Sequence, residues 1–560
     1  MPQRLTFPPG PLFLLAILTV VAIVTRPLTP IDETRYISVA WEMWLRGDYL
    51  VLFKNGAPYS HKPPLLFWLY NLGWALTGVN EWWPRLVSPL FSLGCLALTL
   101  SLARRLWPAE AAAGRNAAWV LASSLLWLLF STSGMFDVML TFFALLGARG
   151  LLIAAEGCVP AGPPQGDASH NPERAQPANT RHPLPREGGR GVGRPAMRGF
   201  TWLAVAIGLG VLAKGPVVLL HLLAVALLAP WWWPGLAWKR WYAGVLMAVL
   251  GGAAIALAWA IPAAIQGGEE YRHMIFWGQT ANRMVDSFAH KRPFWWYLPL
   301  LPVLFFPWLL WPGLWRRFAA MKREGLDGGL RFCLAWLLPV FFVFSLISGK
   351  QIHYLVPLFP AFALLAGRLL ARGMKGGPWL PALLAAAAGA AMVWLAPDGL
   401  TGKLDDWDKL PRWPGALLVL GAATALGLGR KAEWRLATLA GLGAGLLALS
   451  QFYVSDNLWR RYDIRPLAQE IRKLQDRGVP VANHGDYHAQ YQFFGRLEKP
   501  VDELKTPLEI KPWFEKHPDG VLILYVTPRP GETALFSQPY IGESAQLLDA
   551  AQLRTRGYLK

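Results

Sequence analysis

The sequence predicts a mainly α, polytopic membrane protein of about thirteen spanning helices, followed by a small C-terminal α/β domain. Three observations carry this. The 560 residues are 54% hydrophobic and only 16% charged, with a mean hydropathy of +0.30, whereas soluble chains are about a quarter charged. Apolar runs near the roughly 20 residues needed to cross a bilayer recur along the chain as far as residue 453. Beyond residue 454 the composition turns to that of a soluble chain.

The predicted spans are 8–26, 84–103, 116–134, 137–155, 200–214, 216–234, 243–265, 294–315, 331–348, 353–371, 378–396, 412–429 and 434–453. Lys214-Gly215-Pro216 separates the fifth from the sixth. Proline lacks an amide donor and biases the preceding residue away from the helical region, so a tight turn belongs there. With the N-terminus inside, the even-numbered loops carry the basic residues. They include Arg104-Arg105, six arginines between 156 and 199, Lys239-Arg240, Arg316-Arg317, Arg368, Arg372 and Arg430-Lys431. The odd loops are long, mixed in sign or acidic. This is the positive-inside pattern, and it accounts for the net charge of +19 without a nucleic-acid partner.

The run from Leu5 to Thr25 lacks a small-residue cleavage site and many spans follow it, so it reads as an uncleaved first helix. The three cysteines form no disulfide framework and read as free thiols. Segment 156–199, rich in Pro, Gly and Arg without apolar periodicity, reads as a disordered cytoplasmic insertion. Residues 1–454 thus form the membrane domain and 455–560 an external α/β domain. In the latter, Ile464–Arg477 has helical spacing before Gly478, while Val479–Asn483 and Val521–Val526 read as strands. His484 and His488 lack a third ligand, and no metal site is assigned.

The first external loop, 27–83, carries most of the chemistry. Tyr36, Val39, Ala40, Met43 and Trp44 share one face of an interfacial helix over Ile31–Leu45, which Gly47 can end. Asp32 stands in its first turn, where it can either serve the helix dipole or face a substrate. Asn55-Gly56 marks a turn. His61-Lys62-Pro63-Pro64 follows, and the two prolines fix the chain so that the Lys62 ammonium can be aimed at the interface. Snorkelling to lipid headgroups is the bland alternative; capture of a lipid-linked phosphate is the functional one.

Other ionisable groups fall on the same side of the membrane. They are Arg85 at the head of the second span, Asp137 at the outer end of the fourth, Lys214, Asn282-Arg283, and Lys350 with His353 and Tyr354. Such groups at membrane depth cost several kcal/mol unless paired, which makes them functional candidates. Cations clamping a phosphate beside carboxylates suit transfer from a phosphate-linked donor. A transporter should instead show repeats and mid-span charges; the ionisable residues here lie at one face and no repeat is visible.

These motifs resemble the bacterial aminoarabinose transferases that act between undecaprenyl phosphate and lipid A. More broadly they resemble the dolichyl-phosphate-mannose–protein mannosyltransferase superfamily with its C-type glycosyltransferase fold. The resemblance rests on D-E-T-R-Y (32–36), G-D-Y (47–49), N-G-A-P-Y-S-H-K-P-P-L (55–65), F-D (136–137), L-A-K-G-P (212–216), the N-R…H-K-R-P-F-W-W-Y…F-P-W pattern (282–308) and G-K-Q-I-H-Y-L-V-P-L-F-P-A (349–361). It implies a multi-pass protein of a bacterial inner membrane with its N-terminus cytoplasmic and its active site and C-terminal domain periplasmic. It implies a polyprenyl-phosphate-linked sugar donor, most specifically 4-amino-4-deoxy-L-arabinose on undecaprenyl phosphate, and lipid A as acceptor. A mannose-type donor with a protein or another glycolipid as acceptor is the alternative. Asp32 and Asp137 are implied as catalytic carboxylates and Lys62 as the carrier-phosphate ligand. Glu33, His61, Arg85, Arg283, Lys350 and Tyr354 are implied as further substrate contacts. No nucleotide cofactor is implied, and a divalent metal is left open. This branch commonly has Glu before the lysine, where this chain has His61.

Overall fold

The computed structural model describes residues 8–158, 194–278, 291–394, 410–455, 458–527 and 531–559. Among them seven helices are long and apolar enough to cross a membrane, and five shorter apolar helices accompany them. The protein is a mainly helical, polytopic membrane protein. The chain begins with helix α1 (Pro9–Thr25), α2 (Asp32–Arg46), a hairpin of β1 (Phe53–Lys54) and β2 (Ala57–Pro58), α3 (Leu65–Thr77) and α4 (Trp82–Leu106). Next come α5 (Ala111–Leu121), α6 (Leu125–Ser131), α7 (Phe136–Gly157), α8 (Arg194–Lys214) and α9 (Val217–Leu227). Long helices follow at Trp238–Gln266, Gly328–Leu346, Phe359–Ala371, Trp379–Trp394, Trp413–Leu428 and Ala432–Val454.

Local sequence explains the shape of the outer loop. Tyr36, Val39, Ala40 and Met43 of the predicted stripe are buried with Trp44 half-buried, and Ile37, Ser38 and Trp41 are buried beyond it, so α2 packs on more than the one predicted face. Gly47 ends the helix with φ of +65°, a conformation that costs glycine little. Asn55 and Gly56 both take positive φ, as a two-residue hairpin turn requires. α8 stops at Lys214, Gly215 takes φ of +83°, and α9 starts after Pro216.

Four predicted spans are not single α-helices: 216–234 is divided between α9 and a short helix at Ala229–Trp232, 353–371 begins as a 3-10 helix at Ile352–Leu358, and two more are broken further. Stretch 116–134 is divided between α5 and α6, with the Leu125 amide turned outward to the Phe306 carbonyl. Stretch 294–315 is a series of short turns (Leu298–Leu300, Leu301–Leu304 and Trp308–Leu310) before a helix at Pro312–Glu324. Pro299, Pro302, Pro307 and Pro312 each remove a helical donor, which apolar content alone does not reveal. The insertion predicted at 156–199 falls mainly outside the described residues, and its two ends are helical: α7 runs to Gly157 and α8 begins at Arg194.

The C-terminal residues build a five-stranded sheet of order β4-β3-β5-β7-β6. Its strands are β3 (Val481–His484), β4 (Asp502–Leu504), β5 (Val521–Val526), β6 (Phe536–Tyr540) and β7 (Glu543–Leu548). β3 runs parallel to β4 and β5, and β7 pairs antiparallel with β5 and β6. Helix Arg465–Asp476 covers one face through Leu467, Ala468 and Ile471. The sheet unit sits on the outer loop. Phe493 stacks on Trp74 with centroids 5.4 Å apart and planes at 6°, and Lys54 Nζ donates to the Tyr487 carbonyl at 2.8 Å. The side chain of Asn55 exchanges hydrogen bonds with both backbone groups of Val501.

Candidate active site

The N-terminus of α2 points two carboxylates in different directions. The Asp32 side chain is about half exposed, at 48%, and accepts from the Arg35 guanidinium and from Tyr36 Oη, the latter at 3.1 Å. It makes no capping bond to its own helix, so capping does not explain it. Glu33 is buried. Its Oε1 accepts from Arg26 at 3.2 Å and from the Gly134 amide at 2.6 Å; its Oε2 accepts from the Thr29 amide and hydroxyl at 2.9 and 2.6 Å. Burial alone would raise this carboxyl. The Arg26 charge and the bonds from Thr29 and Gly134 outweigh burial and hold it below its ordinary value. Glu33, expected to touch substrate, is thus engaged in tying the α1–α2 turn to the turn ahead of α7.

Lys62 follows the hairpin and precedes Pro63-Pro64, which starts α3. Its Nζ lies 5.9 Å from the Tyr36 ring centroid and 5.6 Å from that of Phe136. These two rings meet edge to face at 4.8 Å. The aromatic pair therefore joins the helix of Asp32 to the helix of Asp137 and presents its faces to the ammonium, a favourable cation–π arrangement. His61 is exposed and stacks on Tyr59 at 5.3 Å with planes at 17°.

Asp137 opens α7 and is fully buried. It pairs with Lys214 from the end of α8. Its Oδ2 has no hydrogen-bond partner among the described residues. Lys214 Nζ in turn lies 5.7 Å from the Tyr354 ring, against which the His353 ring packs edge-on at 4.8 Å. Asp32, Lys62, Asp137 and Tyr354 thus fall along one chain of contacts, through Tyr36, Phe136 and Lys214. The arrangement sets two cations beside one buried and one open carboxylate.

Three other candidates stand apart. Arg85 donates to the carbonyls of Ala22 and Arg26 and pairs with Glu81 at 3.4 Å, which pins α4 to the end of α1. Lys350 donates to the carbonyls of Arg292 and Ile347, at 3.0 and 2.5 Å, and closes the turn after Gly328–Leu346. Arg283 lies outside the described residues. Arg26 is no candidate from sequence, and Arg35 enters there only as a member of the D-E-T-R-Y motif, without a role. The i, i+3 spacing of Asp32 and Arg35 was a readable signal for the second; nothing comparable marks Arg26. Among the described residues no three His, Cys, Asp or Glu side chains gather as a metal-ligand set.

Residues 61–157, the segment that bears Lys62 and Asp137, match the model of the dolichyl-phosphate-mannose-protein mannosyltransferase family. The undecaprenyl phosphate-alpha-4-amino-4-deoxy-L-arabinose arabinosyl transferase of Pseudomonas aeruginosa is 29% identical over 425 residues, 72% of this chain and 67% of that protein. Its counterpart in Erwinia tasmaniensis is 29% identical over 447 residues, 76% and 72% of the two chains. The crystal structure of ArnT from Cupriavidus metallidurans bound to undecaprenyl phosphate superposes with a TM-score of 0.70 at 18% identity, covering 97% of this chain and 98% of that one. The chain is similar in sequence to these arabinosyl transferases and shares the fold of the ArnT structure. The fold it shares with the ArnT structure extends through the C-terminal sheet as well as the helices, because the superposition leaves little of either chain uncovered. The mannosyltransferase match in turn falls on the part of the chain where Lys62, Phe136 and Asp137 come together.

Proposed function

We propose that the protein transfers 4-amino-4-deoxy-L-arabinose from undecaprenyl phosphate to lipid A, at the periplasmic face of a bacterial inner membrane. The observation that carries this reading is the placement of the Lys62 ammonium between the helix of Asp32 and that of Asp137. In this reading the anomeric C–O bond of the donor breaks and the polyprenyl phosphate leaves with the electron pair. Lys62 neutralises the charge that grows on the phosphate, at a site made less aqueous by the surrounding rings. Asp32, open on one side, takes the proton of the acceptor hydroxyl as it attacks. Asp137 pairs with Lys214 and sets the field around Lys62. Tyr354 flanks the same cluster beside Lys214, while Arg85 and Lys350 brace neighbouring turns through backbone carbonyls. The names of the similar transferases supply the donor and the sugar.

The topology that goes with this reading has thirteen spans in residues 1–454, the N-terminus in the cytoplasm, and residues 455–560 as a periplasmic domain. Its support is the basic character of every even-numbered loop. His61 favours one second reading. It brings an exposed imidazole, stacked on Tyr59, to the position before Lys62 where the resemblance implies a carboxylate, so an acidic contact for an amino sugar is absent at that position. A neutral sugar such as mannose is the donor in that case. Membrane vesicles containing the protein, fed undecaprenyl-phosphate aminoarabinose or mannose together with lipid A, separate the two. Mass spectrometry should show lipid A gaining the aminopentose; gain of a hexose by a vesicle protein or another glycolipid favours the second reading, and no sugar gained by any lipid or protein acceptor with either donor defeats both.

A further inference from the structure

A cavity of about 290 Å³ lies between the C-terminal half of α2 and the segment that leads into β4. It is separate from the contacts around Lys62. Its walls come from Trp41, Leu45 and Arg46 on α2, from the hairpin turn, and from Gln492 and Lys499 of the sheet unit. The volume is near the lower end of the range of about 300–1,000 Å³ for ligand pockets, which favour junctions between units.

The chemistry of the wall narrows the occupant. Arg46 and Lys499 face Glu42 and Glu498, so charge is balanced and the cavity is no sink for a phosphate or carboxylate. Glu42 is already engaged, accepting from Arg46 at 2.9 Å and from the Gly56 amide at 2.8 Å. Leu45, Leu497, Pro500 and the Trp41 indole supply apolar surface between these polar groups. At one side Gln492 Nε2 donates to Asn55 Oδ1 at 2.6 Å, while Gln492 Oε1 is buried without a hydrogen-bond partner among the described residues. A small neutral ligand that combines C–H faces with many hydroxyl donors fits this wall. A sugar ring is such a ligand; a lipid tail or an inorganic anion is not.

Position gives the site a role. Glu42 is ten residues along α2 from Asp32, about 15 Å at 1.5 Å per residue. We propose that this cleft is a saccharide subsite that holds a sugar of the acceptor remote from the one that is modified. The acceptor is then an oligosaccharide-bearing glycolipid, gripped at two points along α2. The role rests on the proposed function, but the binding does not.

The test uses the full chain in detergent without donor. Saturation-transfer difference NMR is recorded with a deacylated lipooligosaccharide, and with its bare glucosamine disaccharide as the short probe. Wild type should saturate the outer sugars of the long probe. Lys499→Ala, at an exposed position, removes one charged donor, and about tenfold weaker binding is expected, within the worth of a hydrogen bond to a charged group. Leu45→Trp, also at an exposed position, fills the cleft and should abolish the outer-sugar signal. Both variants should still transfer to short lipid A acceptors. Outer-sugar signals that are absent in folded wild type, or equal in all three proteins, overturn the subsite. Saccharide binding without any transfer leaves the subsite standing and defeats the proposed function instead.

Discussion

The Lys62 ammonium stands 5.6 Å from the ring of Phe136, the residue immediately before Asp137. One backbone position thus links the cation to the buried carboxylate of α7. The prolines that follow Lys62 and the packing of Phe136 hold the ammonium in place before any ligand arrives. Such preorganisation is what makes a single charge effective against a developing phosphate anion. Lys62→Ala should lower transfer by about 10²–10³-fold, the usual cost of deleting one such donor. Thermal unfolding in detergent should change little, because the ring pair Tyr36–Phe136 remains packed. Vesicle transfer assays with the polyprenyl-phosphate donor check the first outcome.

Asp32 offers the complementary case. It is about half exposed and its partners, Arg35 and Tyr36, lie on the same helix. A surface pair of this kind is worth about 0–1 kcal/mol to stability. Asp32→Asn should therefore unfold at nearly the wild-type temperature while transfer falls by about 10²–10⁴-fold, the range for loss of a general base. Equal rates in Asn and wild type would remove Asp32 from the reaction.

For Asp137 and Lys214 the order is reversed. Asp137 is fully buried and Lys214 is 12% exposed, so each leaves a buried charge behind when the other is removed. Asp137→Asn or Lys214→Met alone should cost about 3–5 kcal/mol, and the double variant should be the more stable protein. A double-mutant cycle on thermal or denaturant unfolding gives the coupling. Additive losses would mean that the pair is not an interacting unit.

Glu33 makes a pH-dependent prediction. Its carboxyl is held below its ordinary value of 4.5, first against burial and then by Arg26, Thr29 and Gly134. A depressed folded-state value means that the stabilisation is present above pH 4.5 and is lost as pH falls through the folded value. Wild type should lose stability over that acid range more steeply than Glu33→Gln, whose unfolding should be lower at neutral pH and flatter below it. Parallel acid profiles for the two proteins would contradict the network.

The sequence made the helices and the outer loop legible because both depend on local pattern. Apolar runs mark the membrane helices, the Tyr36–Met43 stripe marks one of the buried faces of α2, and Asn55-Gly56 marks the hairpin. The breaks at Ala122–Ser124 and across residues 298–310 were hidden because they depend on proline placement and on a carbonyl from a distant segment. Candidate roles were harder to read. Arg85 and Lys350 look like phosphate ligands in sequence, but backbone carbonyls engage them, and a carbonyl acceptor leaves no mark in sequence. Glu33 is bound by Gly134, a partner 101 residues away. The sheet unit was visible as a change in composition, but its docking on the outer loop was not.

That docking can be tested at Asn55. Its Oδ1 accepts from Gln492 Nε2 at 2.6 Å and from the Val501 amide at 2.8 Å, and its Nδ2 donates to the Val501 carbonyl at 2.7 Å. The residue also occupies positive φ, so Asn55→Ala would confuse turn strain with lost bonds. Asn55→Gly keeps the turn and removes only the side chain. Three hydrogen bonds at about 0.5–1.5 kcal/mol each should then be missing between the hairpin and the sheet unit. Phe493 remains stacked on Trp74, so the unit should stay attached but open more often. Hydrogen exchange should accelerate in the backbone of Gln492–Asp502 and leave β5 and β7, inside the sheet, at wild-type rates. Faster exchange throughout the sheet would show that Asn55 supports folding of the unit rather than its seat on the loop, and unchanged exchange would show that the remaining contacts, among them Phe493 on Trp74 and Lys54 on Tyr487, hold it.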